Sequence, residues 1–246
     1  LQSLLSYWFK FKIGGDGLIP ACAPFTPDSS YVVICTKKDR SHTISCCAIV
    51  KDEEEILEKC INHVKDIIDE FIIVDTGSTD GTRDIIKKYG NLYEIPFEDF
   101  VTTKNKALEL ATGDYILWMD ADEILYQGAD ILRIHAEEGQ YDAITTKITE
   151  GNADNYSHVS NQYDRLRLWK RGMFKFVGPG VHEVAVGSGK IINDLRVLVR
   201  HEHLKSTKST TMGDRFGWYV DILLKSITEG RDVARAWFYL ARTYKD

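Results

Sequence analysis

The sequence predicts an α/β fold with a Rossmann-like, mostly parallel sheet that is flanked by helices and followed by a C-terminal helical extension. Between residues 41 and 127, short apolar runs alternate with amphipathic segments. This alternation is typical of parallel strands joined by right-handed helical crossovers. The 246 residues are 43% hydrophobic and 28% charged, so the chain can bury one large core.

The first half contains four apolar runs and three amphipathic segments. Continuous apolar runs of this length predict strands that are buried on both faces of a parallel sheet. Apolar residues repeated every three or four positions predict helices between the strands. The predicted strands are residues 44–50, 71–74, 92–95 and 115–119, and the predicted helices are residues 56–68, 82–89 and 103–111.

The pattern changes beyond about Gly128, where strand-like pieces at 143–149, 166–169 and 195–199 are separated by polar, glycine-rich loops. Two helices, 213–227 and 233–244, are predicted to close the chain. The second has small residues between aromatic ones and resembles the first helix of a tetratricopeptide repeat. Residues 1–40 carry several glycines and prolines, and we expect an irregular lead-in there.

Composition excludes several classes of function. The formal charge of -6 argues against a nucleic-acid binder, because such proteins neutralise phosphates with Lys and Arg. No apolar run reaches the roughly 20 residues that a transmembrane helix needs. The five cysteines are an odd number without metal-ligand spacing, which favours a reducing compartment and a cytoplasmic location.

The triplet Asp120-Ala121-Asp122 directly follows the predicted strand 115–119. Ligands of open α/β sheets bind at the carboxyl ends of strands. Two carboxylates at such a position are hard oxygen ligands, suited to Mg²⁺ or Mn²⁺ bound to a diphosphate. The alternative is a solvated acidic turn, because D-x-D triplets are also common by chance.

A second polar segment, 75–82, follows the predicted strand 71–74 and reads DTGSTDGT. Its glycines permit close approach of a ligand to the backbone, and its hydroxyls can cap the next helix. Asp75 ends the strand, where its carboxylate can accept hydrogen bonds from a nucleobase or a ribose. The segment lacks the Gly-Lys-Ser/Thr ending of a phosphate-binding loop, and it could equally be only a well-capped turn.

Three blocks in this order resemble the family 2 glycosyltransferases of GT-A fold: SCCAIVKDEEEILEKCINHV, IIVDTGSTDGTRDIIKKYG and TKNKALELATGDYILWMDADE. RLRLWKRG and VGPGVHE also resemble the subgroup with C-terminal tetratricopeptide repeats. The resemblance implies an inverting transferase that uses a nucleoside-diphosphate sugar, commonly a UDP-sugar.

The resemblance also implies roles for individual residues. Asp122 would bind the metal, Asp120 would lie near the donor sugar or ribose, and Lys104 near the diphosphate or base. The nucleotide-sugar site would further include Asp75, Asp52 and Glu54. Two positions depart from the family pattern, and both concern recognition of the base. Thr76 stands where many members have a second Asp, and Asp52 stands where this subgroup often has Asn.

The second half supplies further candidates. Glu183 follows the rigid loop Gly178-Pro179-Gly180, and related enzymes often use a carboxylate from this region as general base. His201, after an apolar strand, is the preferred third metal ligand, with His182 as an alternative. A run of cations is predicted to be a solvated strand edge or, for one of them, a contact to the diphosphate. These cations are Arg165, Arg167, Lys170 and Arg171.

The sequence thus predicts a metal-dependent glycosyltransferase with a nucleotide-binding half (41–127), an acceptor half (128–210) and C-terminal helices (211–246). We expect a nucleoside-diphosphate sugar as donor, a saccharide or protein as acceptor, and a protein partner bound through C-terminal repeats. Two alternatives remain. One is a sugar nucleotidyltransferase, disfavoured because the loop after the first strand is acidic. The other is an inactive scaffold for protein partners, disfavoured by the intact Asp120 and Asp122.

Overall fold

The computed structural model describes residues 9–13, 33–37, 40–151, 159–202 and 212–244. Residues 1–41 and 42–246 form two compact units. The elements in chain order are β1 (Phe9–Ile13), β2 (Val33–Lys37), β3 (Ile44–Val50), α1 (Leu57–Val64), β4 (Glu70–Asp75), α2 (Thr82–Tyr89), β5 (Tyr93–Glu94), α3 (Phe100–Leu110), β6 (Tyr115–Trp118), β7 (Glu123–Gln127), α4 (Ala129–Glu138), β8 (Ala143–Gly151), β9 (Val159–Lys170), β10 (Phe174–Val177), β11 (Val184–Gly187), β12 (Ile191–Glu202), α5 (Met212–Thr228) and α6 (Val233–Thr243).

In the N-terminal unit, β1 and β2 form an antiparallel pair. The expectation of an irregular lead-in is therefore wrong for these two segments, and most of the remaining lead-in lies outside the described residues. Phe9–Ile13 alternates apolar and charged residues with period two, which is a strand signal. The glycines that follow it in the sequence obscured that signal.

The second unit is built on an eight-stranded sheet with the order β5-β4-β3-β6-β9-β8-β12-β7. The neighbours from β5 to β6 are parallel, as are β8 and β12, whereas β9 and β7 pair antiparallel with their neighbours. This topology confirms the predicted α/β class and the mostly parallel sheet. The chain adds β4 and β5 on one side of β3 and β6 on the other, so the strand order reverses between β3 and β6. Ligands bind at the carboxyl ends of strands beside such a switch point.

The core lies on both faces of this sheet because successive side chains of a strand point to opposite faces. Cys47 packs on the face that α3 covers, whereas Ala48 and Val50 pack on the face covered by α1 and α2. Cys46 and Cys47 are both buried, and burial raises the pKa of the Cys46 thiol to about 12. The cysteines of β3 therefore act as small core side chains.

Helix α4 lies directly after Gly128, where only strand-like pieces and loops were predicted, so that expectation is wrong for Ala129–Glu138. Two polar residues of α4 face the core. Arg133 Nη1 lies 2.7 Å from Asp69 Oδ2, and His135 Nε2 lies 2.8 Å from Asp194 Oδ2. Buried polar groups with partners are tolerated, but they remove the apolar periodicity from the sequence.

The two C-terminal helices pack on each other and on the preceding fold. Val220 and Leu223 of α5 and Ala236 and Leu240 of α6 share one buried cluster with Val181. No helix in the part of the chain that the structure describes has the length and apolarity needed to cross a membrane.

Candidate active site

Two loops at the carboxyl ends of β3 and β4 are tied together by acidic side chains. Asp52 Oδ1 accepts a 2.6 Å hydrogen bond from the backbone N–H of Thr79, and the backbone N–H of Asp52 donates to Ser78 Oγ at 2.8 Å. Glu54 Oε2 accepts from the backbone N–H of Gly81 at 2.6 Å. The carboxylates of Asp52 and Glu54 thus hold the segment 75–82, next to the switch point.

Asp75 lies beneath this segment with its side chain fully buried. Its carboxylate accepts from the backbone N–H of Gly77 and Ser78 at 3.1 to 3.2 Å and from Arg83 Nε at 2.8 Å. Burial alone would raise the pKa of Asp75, but the hydrogen bonds from Ser78 and Arg83 outweigh it and lower that pKa. In this arrangement Asp75 shapes the loop, and its contact with a nucleobase stays a prediction.

Asp120 follows β6 and is surrounded by donors. Its Oδ1 is 2.9 Å from Lys104 Nζ and 3.0 Å from Trp118 Nε1, and its Oδ2 is 3.3 Å from Arg165 Nη1. Burial would raise the pKa of Asp120, but the charges of Lys104, Arg167 and Arg165 hold it well below its usual range. Asp120 is therefore an ionised carboxylate that pairs with several cations, and it does not lie in a solvated acidic turn.

A buried ion pair between Arg167 and Glu123 lies next to Asp120. Arg167 pairs with Glu123, and both side chains are 1% exposed. Glu123 Oε2 also accepts from the backbone N–H of Asp120 at 3.0 Å, which fixes the turn after β6. The prediction of a solvated strand edge is wrong for Arg167, because β9 lies between β6 and β8 inside the sheet. Arg165, two residues earlier and nearly half exposed, shares the side of β9 that faces Asp120.

Lys104 connects Asp120 to Glu183. Its Nζ lies 2.7 Å from Glu183 Oε1 and 4.9 Å from the centre of the Trp118 ring, and its side chain is only 6% exposed. Burial would lower the pKa of Lys104, but the two carboxylates outweigh it and raise that pKa. A pocket of about 440 Å³ opens here, lined by these residues and by the strands β9, β10 and β11. The structure therefore brings Asp120, Lys104 and Glu183 together.

Asp122 pairs with His201, whose Nε2 lies 2.7 Å from Asp122 Oδ2. The hydrogen bond that His201 donates to Asp122 raises the pKa of His201. Within residues 40–151, 159–202 and 212–244, no three His, Cys, Asp or Glu side chains form a metal-ligand cluster. Mg²⁺ often binds through one or two carboxylates and completes its shell with water and substrate phosphates. A metal ion bound by Asp122 and His201 stays a prediction. His182, the alternative histidine, stacks on Tyr239.

Sequence reasoning assigned no role to Trp118 or Glu123, and it did not predict that Arg167 pairs with Glu123 beside Asp120. The available signal was the run Arg165-Leu166-Arg167, since residues two apart in a strand share a face. The pairing of β9 with β6 carries that face to Asp120. Trp118 offered a weaker signal, an indole N–H two residues before Asp120.

Residues 45–191, more than half of the chain, match the family model described as Glycosyl transferase family 2. A TPR repeat-containing protein of Synechococcus elongatus is 38% identical over 125 residues, which is 49% of this chain and 31% of that protein. The SPbeta prophage-derived glycosyltransferase SunS of Bacillus subtilis is 41% identical over 92 residues, which is 36% of this chain and 22% of that protein. The chain thus spans less than a third of the length of these curated relatives.

Among solved structures, S. aureus TarS 1-349 in complex with UDP-GlcNAc is similar with a TM-score of 0.47 and 15% identity. The match covers 75% of this chain and 66% of that chain. The mannosyltransferase PcManGT of Pyrobaculum calidifontis, in complex with GDP-Man and Mn²⁺, is 17% identical with a TM-score of 0.46. That match covers 76% of this chain and 64% of the mannosyltransferase chain.

Proposed function

This chain belongs to glycosyl transferase family 2, and we propose that it transfers a sugar from a nucleoside-diphosphate sugar to an acceptor with inversion at the anomeric carbon. The observation that carries the proposal is the Lys104 bridge, which places the carboxylates of Asp120 and Glu183 in one pocket. Asp120 lies at the carboxyl end of β6, beside the switch point where a nucleotide is expected. Glu183 reaches the same pocket from the opposite half of the chain.

The donor side of the proposed site is built from Asp122, His201 and the two tied loops. Asp122 and His201 would hold Mn²⁺ or Mg²⁺, which neutralises the diphosphate and makes it a better leaving group. Asp52, Glu54 and Asp75 would fix the loop segment that contacts the base and the ribose. A UDP-sugar is the donor that the resemblance of the three sequence blocks favours.

The acceptor side depends on Glu183. Inverting transfer needs a proton acceptor on the face of the sugar opposite the departing diphosphate. Asp120 contacts several cations and Asp122 contacts His201, whereas the described ion pair of Glu183 is with Lys104. A diphosphate would compete for Lys104 because it carries more negative charge than one carboxylate. Glu183 would then accept the proton of the acceptor nucleophile.

The proposed subgroup is the one in which a transferase domain precedes tetratricopeptide repeats. Helix α6 has the spacing of small and aromatic residues typical of such a repeat, and one relative is named as a TPR repeat-containing protein. Repeats of this kind would bind a protein partner or a protein acceptor.

The test is a panel of nucleotide sugars with Mn²⁺, in which release of the nucleoside diphosphate is followed. The variant Glu183→Gln keeps the side-chain shape and removes its basicity, so we expect transfer to fall ~100-fold or more while UDP binding with Mn²⁺ stays near that of the parent. A parent-like rate would place the base elsewhere, and loss of UDP binding would make Glu183 a structural residue or a ligand. Release of diphosphate from a nucleoside triphosphate and a sugar phosphate would instead indicate nucleotidyl transfer.

A further inference from the structure

The loop that carries Glu183 is held by the C-terminal helices. We call residues 178–183 the base loop. Ser226 Oγ of α5 donates a 2.6 Å hydrogen bond to the carbonyl oxygen of Pro179. Arg235 Nη2 of α6 donates to the carbonyl oxygen of His182 at 2.8 Å. Two of the six backbone carbonyls of the base loop thus accept hydrogen bonds from these helices.

The backbone immediately before Glu183 has a constrained conformation. His182 has a φ of 55°, which is in the left-handed region that residues other than glycine rarely adopt. Such a conformation persists only when the surrounding structure holds it. The imidazole of His182 stacks on the ring of Tyr239, with ring centres 3.9 Å apart and an angle of 17° between the planes. Helix α6 therefore holds His182 through both its carbonyl and its side chain.

Gly180 and Val181, in the middle of the base loop, pack against α3 and α5. The backbone N–H of Phe100 donates to the carbonyl oxygen of Gly180 at 2.8 Å. A Cβ at Gly180 would lie 2.6 Å from Ile222 Cγ2, so the loop and α5 are in close contact at this point. Val181 is fully buried in the cluster formed with α5 and α6. Because the base loop is held at Pro179, Gly180, Val181 and His182, the position of the Glu183 carboxylate beside Lys104 depends on the C-terminal helices.

We propose that α5 and α6 are part of the active site, with Arg235 and Tyr239 as positioning residues that fix the base loop and so place Glu183 for proton abstraction. This inference rests on the proposed function of Glu183. It also assigns the helix pair a role distinct from binding a partner. Ala236 and Leu240 of α6 are buried in the cluster that includes Val181 of the base loop, whereas Trp237 and Phe238 of α6 are exposed.

The kinetic test uses Arg235→Met, which removes the donor but keeps the aliphatic stem. Misplacing a catalytic group by about 1 Å can lower a rate by as much as ~100-fold, so we expect kcat to fall ~10-fold or more with an unchanged donor KM. Arg235→Lys should recover part of the loss because it retains a donor. The matched control is Lys225→Met on α5, whose side chain is 56% exposed and pairs only loosely with Glu229 at 3.9 Å. It should keep the parent kcat.

A double-mutant cycle separates positioning from a general structural defect. If Arg235 acts through Glu183, Arg235→Met should cause little further loss in the Glu183→Gln background, because the group that it positions no longer acts as a base. Fully additive losses would overturn the inference. The rate is measured as UDP release from the UDP-sugar that gives the highest turnover in the donor panel.

A second measurement does not require turnover. Native-state hydrogen exchange of a peptide covering the base loop should be faster in Arg235→Met and in Tyr239→Leu than in the parent, and unchanged in Lys225→Met. Unchanged exchange in both α6 variants would overturn the inference even if the enzyme is active. A parent that releases no nucleoside diphosphate from any nucleotide sugar of the panel would count against the proposed function, while the exchange result would still decide whether α6 holds the loop.

Discussion

Replacement of Lys104 by methionine should destabilise the folded protein as well as stop transfer. The side chain of Lys104 is 6% exposed, and its Nζ lies within 2.9 Å of carboxylate oxygens of both Asp120 and Glu183. Removal of one partner from a buried ion pair typically costs about 3–5 kcal/mol, because the remaining charge is left without compensation. Asp120 keeps its contacts to Arg165 and Trp118, so we expect the lower end, about 3 kcal/mol.

Thermal unfolding measures this loss directly. For a chain of this size each kcal/mol shifts Tm by about 2–4 °C, so Lys104→Met should unfold about 6–12 °C below the parent. Lys106→Met is the matched control on the same helix, because the side chains of Lys106 and its partner Glu98 are 40% and 49% exposed. An exposed pair contributes at most about 1 kcal/mol. A Tm for Lys104→Met no lower than that of Lys106→Met would refute the account of Lys104 as a buried bridge.

Three further predictions concern the metal, the loop after β4 and the base loop. In calorimetry, the parent should bind UDP only when Mn²⁺ is present, whereas the UDP affinity of Asp122→Ala should be the same with Mn²⁺ and with EDTA. Equal UDP affinity of the parent under both conditions would exclude the proposed metal site. Asp75→Ala should lower the free energy of unfolding by about 1–3 kcal/mol through its lost hydrogen bonds and weaken UDP binding; unchanged UDP affinity would place base recognition elsewhere. Gly180→Ala should lower Tm because the backbone φ of 86° disfavours alanine and because the new Cβ would collide with Ile222. Gly172→Ala is the control, since its φ is 82° but no heavy atom lies within 4 Å of the new Cβ, so its Tm should fall less. Equal shifts in Tm would contradict the packing argument.

The secondary structure between residues 41 and 127 was predictable because its signals are local. The predicted strand 44–50 and helix 82–89 agree with β3 and α2 at both ends. Both have a regular apolar pattern, continuous in the strand and periodic in the helix. The predicted strand 92–95 has only two paired residues, Tyr93–Glu94, because β5 is the edge strand of the sheet and pairs with β4 alone.

The partners of the predicted site residues were not predictable in the same way. Asp120 and Asp122 stand out because they follow an apolar strand, and this position alone places them at the ligand edge. The contact of Arg165 and Arg167 with Asp120 arises because β9 pairs antiparallel with β6. The paired residues of these two strands are about 50 positions apart in the sequence. The polar alternation of β9 would fit an edge strand equally well, and sheet order decides between the two.

The link between the C-terminal helices and Glu183 shows the same limit at a similar sequence distance. The sequence of α6 predicts an amphipathic helix, and its buried residues Ala236 and Leu240 fit that pattern. Nothing in that periodicity distinguishes a helix that packs on a further repeat from one that packs on a catalytic loop, because both bury one apolar stripe. The decisive features are polar. Arg235 and Tyr239 lie four residues apart, on one side of α6, and that side meets the carbonyl oxygen and the ring of His182. A contact of this type identifies a helix as part of a site only when its distant partner is known.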